Sequence, residues 1–125
     1  MPIEKTIHPL DRLVFGVGTG DLTLADLARF TEDIVRERLM HYRKLIDATH
    51  CTPAFSEKEL AAFVQVLNTI GTDRRRGALA IVVDPKRGEI AHIFAALGMN
   101  GRPVQVFRSL HEARKWLAGK PVLDE

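Results

Sequence analysis

Ala78-Leu79-Ala80-Ile81-Val82-Val83 decides the fold. A strand with one wet face alternates apolar and polar residues, whereas this run is apolar at every position, as a central strand covered on both faces must be. Helices are therefore expected on both sides of a sheet. Downstream, Asp84-Pro85 offers a cap and a first-turn proline, and Ile90, Ile93, Phe94 and Leu97 follow at helical spacing until Gly98. Gly101 to Pro103 turns the chain into a last strand, Val104-Gln105-Val106-Phe107. Ser109 and Glu112 then make a capping box before Leu110, Ala113, Trp116 and Leu117, with Gly119 and Pro121 closing that helix.

Upstream, Ser56 and Glu59 form a Ser-x-x-Glu capping box, with Phe55 and Leu60 placed as a hydrophobic staple. Leu60, Phe63, Val64, Leu67 and Ile70 form one apolar face, and Gly71 supplies a left-handed end. Before it, Tyr42 to Ala48 reads as a strand, and Thr49 to Phe55 as the longest irregular stretch. Thr23 and Asp26 give a variant capping box, and Leu24, Leu27, Ala28, Ile34 and Val35 predict a helix over about Thr23 to Arg38. The first residues read as a hairpin: Ile3 to Ile7, a turn at His8 to Asp11, then Arg12 to Val17. The order is ββαβαβαβα. It implies an α/β fold whose mostly parallel sheet has right-handed crossovers, flanking helices and one antiparallel strand.

At 125 residues the chain is expected to be one domain with one core, spanning 1–125. Hydrophobic residues make up 46% and charged residues 27%, which is globular usage rather than that of a disordered or membrane chain. The 18 basic and 16 acidic residues nearly cancel, so no nucleic-acid partner is implied. Cys51 is the only cysteine and can form no intramolecular disulfide. The N-terminus lacks the apolar core of a signal peptide, and no apolar run approaches a membrane span, so a cytoplasmic location is expected.

Several segments of the chain resemble a known family. They are Arg76-Gly77-Ala78, Ile81-Val82-Val83, the Ile90 to Leu97 helix, and Val104-Gln105-Val106-Phe107-Arg108-Ser109-Leu110-His111-Glu112-Ala113 with Trp116-Leu117. Together with the leading hairpin and helix, this pattern resembles the SpoIIAA-like proteins. They are a branch of the STAS domain fold of anti-sigma-factor antagonists, itself similar to lipid-transfer domains of the CRAL-TRIO type. The resemblance covers nearly the whole chain and is carried by core positions and caps. It implies a single-domain STAS-like fold. In those antagonists a serine at the start of the second helix, within an Asp-Ser-Ser-Gly-like motif, is phosphorylated. Ser56 holds the similar place and is the candidate phosphorylation site, although its surroundings, Ala54-Phe55-Ser56-Glu57-Lys58, lack the paired serine, the preceding acid and the glycine.

Ligands of open α/β sheets bind at the carboxyl ends of the strands. That rim gathers Gly18-Thr19-Gly20, Asp47-Ala48-Thr49, Asp84 and Arg108-Ser109. The candidate ligand- or partner-binding residues are accordingly Asp47, Thr49, Ser56, Asp84, Arg108 and Ser109. Backbone N–H groups at the helix starts near Ser56 and Ser109 would meet an anion, with Arg108 adding charge. The plainer role for both serines is capping.

Gly16-Val17-Gly18-Thr19-Gly20 lacks dinucleotide spacing, because Asp21 stands where glycine is required, and a turn or bulge is expected instead. Asp47 and Asp84 could bracket magnesium, but a receiver-like site needs an early acidic pair and a late lysine, which this chain lacks. No metal or cofactor is assigned. His50-Cys51, with His41, His92 and His111, shows no zinc spacing, and adjacency in sequence does not make a nucleophile and base. Arg74-Arg75-Arg76 follows the second helix and reads as capping of its end, and Phe94, Phe107 and Trp116 read as packing.

The expected function is non-enzymatic: a STAS-like regulatory or binding module, recognising a protein partner or small ligand at the corner from Thr49 to Ser56. The alternative is a carrier of a small apolar ligand or lipid, with magnesium-dependent phosphoryl transfer behind it. A homodimer is expected from the habit of small domains.

Overall fold

The computed structural model describes residues 3–67, 69, 76–86 and 103–124. Five strands form one sheet in the order β1-β2-β3-β4-β5: Ile3–His8, Leu13–Leu22, Arg43–Pro53, Leu79–Val82 and Val104–Phe107. β1 and β2 pair antiparallel, and every later pairing is parallel. The described helices are α1 (Leu24–Arg36), α2 (Glu57–Leu67) and α3 (Leu110–Ala118). The expected helix over Ile90 to Leu97, with its end at Gly98, lies outside the described residues, as do Ile70 and Gly71.

β4 shows why its run is apolar throughout. Leu79 and Ile81 join a core cluster with Leu22, Ala48, Leu60 and Val64 on the face that carries α1 and α2. Ala80 and Val82 point the other way, into a cluster with Leu45, Phe107, Ala113 and Leu117 beneath α3. Successive side chains of one strand thus feed two cores, so neither set can be polar. Phe107 and Trp116 pack with ring centroids 5.5 Å apart, as expected of packing residues.

The caps form where their spacing places them. Thr23 Oγ1 accepts from the Asp26 N–H at 3.2 Å, and Asp26 Oδ2 accepts from the Thr23 N–H at 2.9 Å. Those bonds from Thr23 hold the Asp26 carboxyl below its ordinary range, so this cap supports the fold at neutral pH and weakens as acid protonates it. Ser56 and Glu59 exchange the same two bonds, each 3.1 Å, and the staple residues Phe55 and Leu60 are buried. Ser109 Oγ accepts from the Glu112 N–H at 3.1 Å, and α3 closes on Gly119 without a left-handed residue.

One expectation is corrected. Thr49 to Pro53 is the second half of β3 rather than an irregular loop, and β2 likewise runs on from Val17 to Leu22. Val17 pairs with Asp47 and Thr19 with His50, so β3 carries one extra residue at a bulge before the ladder resumes through Leu22 and Pro53. The bulge interrupts the alternation of β3, which hides the continuity of the strand in sequence. Gly18-Thr19-Gly20 accordingly lies within β2 beside the irregularity, with Gly20 at φ +70°.

Candidate functional site

The side chains of the expected rim make short-range hydrogen bonds along their own segments. Asp47 Oδ1 accepts from the Thr49 N–H at 3.1 Å and the Thr49 hydroxyl at 2.7 Å. Asp84 Oδ1 accepts from the Lys86 N–H at 2.9 Å, a local turn contact. Ser56 and Ser109 cap α2 and α3, and Arg108 is exposed. Each of the two aspartates thus binds a backbone N–H two residues on, and each serine one three residues on. Among the described residues no group of three or more histidines, cysteines and acids is arranged to hold a metal ion.

His50 and Cys51 are neighbours on β3 and face opposite ways. His50 is exposed, while Cys51 is 1% exposed in the core. A base pointing to water cannot take a proton from a thiol pointing inward. Burial, reinforced by the Asp47 carboxylate, pushes the Cys51 thiol up to about 11. Two consequences can be measured. In the native protein at pH 8 an alkylating reagent should modify Cys51 roughly a hundredfold more slowly than an unfolded control, from the scarcity of thiolate alone. The raised value also favours the folded state while the thiol is neutral. That contribution is complete below the unfolded thiol's range near 9 and is lost as pH rises toward about 11. Equal alkylation rates in native and urea-unfolded protein would contradict both.

The geometry that sequence reasoning misses lies beneath α1 and α2. A cavity of about 110 Å³ opens between these helices and the sheet. Its floor comes from all of the first four strands: Ile3, Gly18 and Leu22, then Ile46, Ala48 and Cys51, then Leu79 and Ile81. Leu27, Phe30, Thr31, Ile34 and Val35 of α1 and Phe63 and Leu67 of α2 form its roof. The Thr31 hydroxyl donates to the Leu27 carbonyl at 2.9 Å, so the α1 wall offers the cavity little polarity.

Among the described residues, two cations break this apolar lining, Lys44 and Arg76. Lys44 is 4% exposed, and its Nζ donates to the carbonyls of Met40 at 2.9 Å and Tyr42 at 2.8 Å. Arg76 donates to the Leu67 carbonyl in the last turn of α2 at 2.9 Å, the capping role expected of the arginine run; Arg74 and Arg75 lie outside the described residues. Met40 O also accepts from the Gly77 N–H at 2.9 Å. No motif marks Lys44. Its only sequence signal is a lysine in place of an apolar residue on the buried face of a central strand.

No protein-family model matches the chain, and none of the curated proteins compared with it matches either. Among solved structures, the chain is similar to an uncharacterized protein of the DUF3478 family with a SpoIIAA-like fold from Shewanella loihica PV-4. The TM-score is 0.60 at 18% sequence identity, over 92% of this chain and 91% of that one. No described helix is long and apolar enough to cross a membrane. The sequential mixed sheet, its single antiparallel edge pair and the helices on both faces are those of the SpoIIAA-like fold.

Proposed function

We propose that the protein is a non-enzymatic binding module that takes a small apolar ligand into the cavity beneath α1 and α2. The apolar lining of that cavity carries the reading, because ligand pockets are concave, mostly apolar and oriented by a few polar groups. Volume narrows the ligand. A dry engineered cavity of about 150 Å³ admits benzene, so a space of about 110 Å³ suits a chain of a few carbons or a small ring rather than a full lipid tail. A long-chain lipid would need α1 and α2 to part. At the rim, Asp47 and Thr49 bond each other at the β3 bulge, Asp84 serves a turn, and Ser56 and Ser109 serve caps, so the apolar cavity is the better-supported site.

The test is an NMR titration with hexanol. Amide shifts should concentrate at Gly18, Ala48 and Cys51, and Ala48→Leu, which fills the cavity, should abolish them without unfolding the protein. Shifts that are absent, or that persist unchanged in the filled variant, would remove the proposal. Native mass spectrometry of protein taken from cells adds a second reading: a co-purifying small molecule agrees with it, whereas a ligand-free homodimer speaks for an interaction module acting at the rim. Hydrolase and phosphatase screens should show no turnover. Robust activity lost in Asp47→Ala or Asp84→Ala would overturn the non-enzymatic part.

A further inference from the structure

We propose that a second copy of this chain pairs with the outer edge of β1, antiparallel and about a two-fold axis at Thr6, so that the two sheets become one. β1 pairs with β2 along one side, and among the described residues nothing pairs with the other. An outer strand is a template for another strand unless short length, proline, a bulge or a guarding charge prevents it. β1 has six residues, an unbroken register with β2 and no proline. Its guarding charge would be Lys5, which is drawn into an ion pair with Glu37 at the end of α1. The other outer strand, β5, has only four residues.

Charge selects the register. Glu4, Thr6 and His8 stand opposite Val17, Phe15 and Leu13, and so share with Leu13 and Phe15 the face that carries α3. All three are exposed, and none makes a side-chain hydrogen bond or ion pair with the described residues. A two-fold axis perpendicular to the sheet keeps each face on its own side, so it must pass through a residue and set that residue against its own copy. Through Glu4 or Lys5 it opposes like charges, which is unfavourable. Through Ile3, Ile7 or His8 the overlap soon runs out of the strand. Through Thr6 it sets Glu4 against the partner's His8 twice, Thr6 against the partner's Thr6, and Lys5 against the partner's Ile7. An imidazole offers a carboxylate an N–H donor in either protonation state, and Thr–Thr pairs are favourable at such positions.

Sedimentation equilibrium of the intact protein should show a dimer, and Thr6→Cys should yield a disulfide-linked dimer on mild oxidation. Residues directly opposite hold their Cα atoms about 5 Å apart, within reach of a disulfide. Two copies of Glu4→Cys, or two of His8→Cys, would hold theirs about 14 Å apart. Each of those variants should therefore stay unlinked alone, and a mixture of the two should crosslink. Cys51 is buried in the core and offers no competing bridge. Glu4→Arg and His8→Glu should each weaken self-association by about tenfold, and mixing them should restore it as a heterodimer. All three positions are exposed, so these variants test pairing rather than folding. A chain that stays monomeric at every concentration would overturn the dimer. A dimer that Thr6→Cys does not lock, or that Glu4→Cys locks equally well, would overturn this interface and place the contact elsewhere, the rim included. Neither result bears on the apolar site, which lies beneath α1 and α2.

Discussion

Gly77→Ala is expected to destabilise the protein by about 3 kcal/mol or more, seen as a large fall in the urea midpoint. A Cβ added at Gly77 would lie 2.1 Å from the carbonyl oxygen of Tyr42, 2.4 Å from its carbonyl carbon and 2.8 Å from the Arg43 nitrogen. All three are backbone atoms at the entry to β3, so no side-chain rotation relieves the overlap. Either Gly77 leaves its bond to Met40 O, or the Met40–Arg43 segment moves and takes with it the carbonyls that hold Lys44. The variant should therefore also lose whatever binding depends on that end of the cavity. Gly20→Ala provides the contrast. Nothing lies within 4 Å of its added Cβ, and only the left-handed backbone opposes it, at about 1 kcal/mol. Similar midpoints for the two variants would show that the close approach at Gly77 is not rigid.

Leu60→Ala is expected to cost about 2–5 kcal/mol, the range for removing a fully buried leucine from a core that cannot collapse around the gap. Leu60 is 0% exposed and belongs to the cluster that joins α2 to β4 through Val64, Leu79 and Ile81. It is also the inner half of the staple with Phe55, so truncation loosens the first turn of α2 as well as the core. Leu60→Met, which keeps most of the volume, should cost less than about 1.5 kcal/mol. Thermal and urea unfolding of the pair would check this, and an alanine variant no weaker than the methionine one would contradict the packing described.

Gly77 and Leu60 differ in how far their roles can be read along the chain. Leu60 is placed by its capping box, its staple and its helical spacing, all of which depend on residues three or four positions away. The apolar run at β4 is legible for the same reason, since alternation of faces is a property of the strand itself. Gly77 gives no such sign. What makes it irreplaceable is the backbone at Tyr42 and Arg43, which reaches it only when β3 and β4 lie side by side. The second half of β3 resembles a loop in sequence because its stability comes from pairing with Thr19–Leu22 across a bulge, and its local composition does not advertise that pairing.

The candidate site divides along the same line. Asp47, Ser56, Asp84 and Ser109 stand out because short-range turn and cap chemistry uses such residues, and the structure places Asp47 at the β3 bulge, Asp84 in a turn and the two serines at caps. Lys44 and Arg76 are ordinary basic residues until the fold brings both into the lining of an apolar space. By itself the sequence determined the described helices, their N-caps and the two-sided burial of β4, because each of these is set by periodicity along a few turns of chain. Only the tertiary structure decided the strand order, the length of β3 and the cavity with the cations in its lining, because these depend on contacts between segments whose separation along the chain carries no pattern.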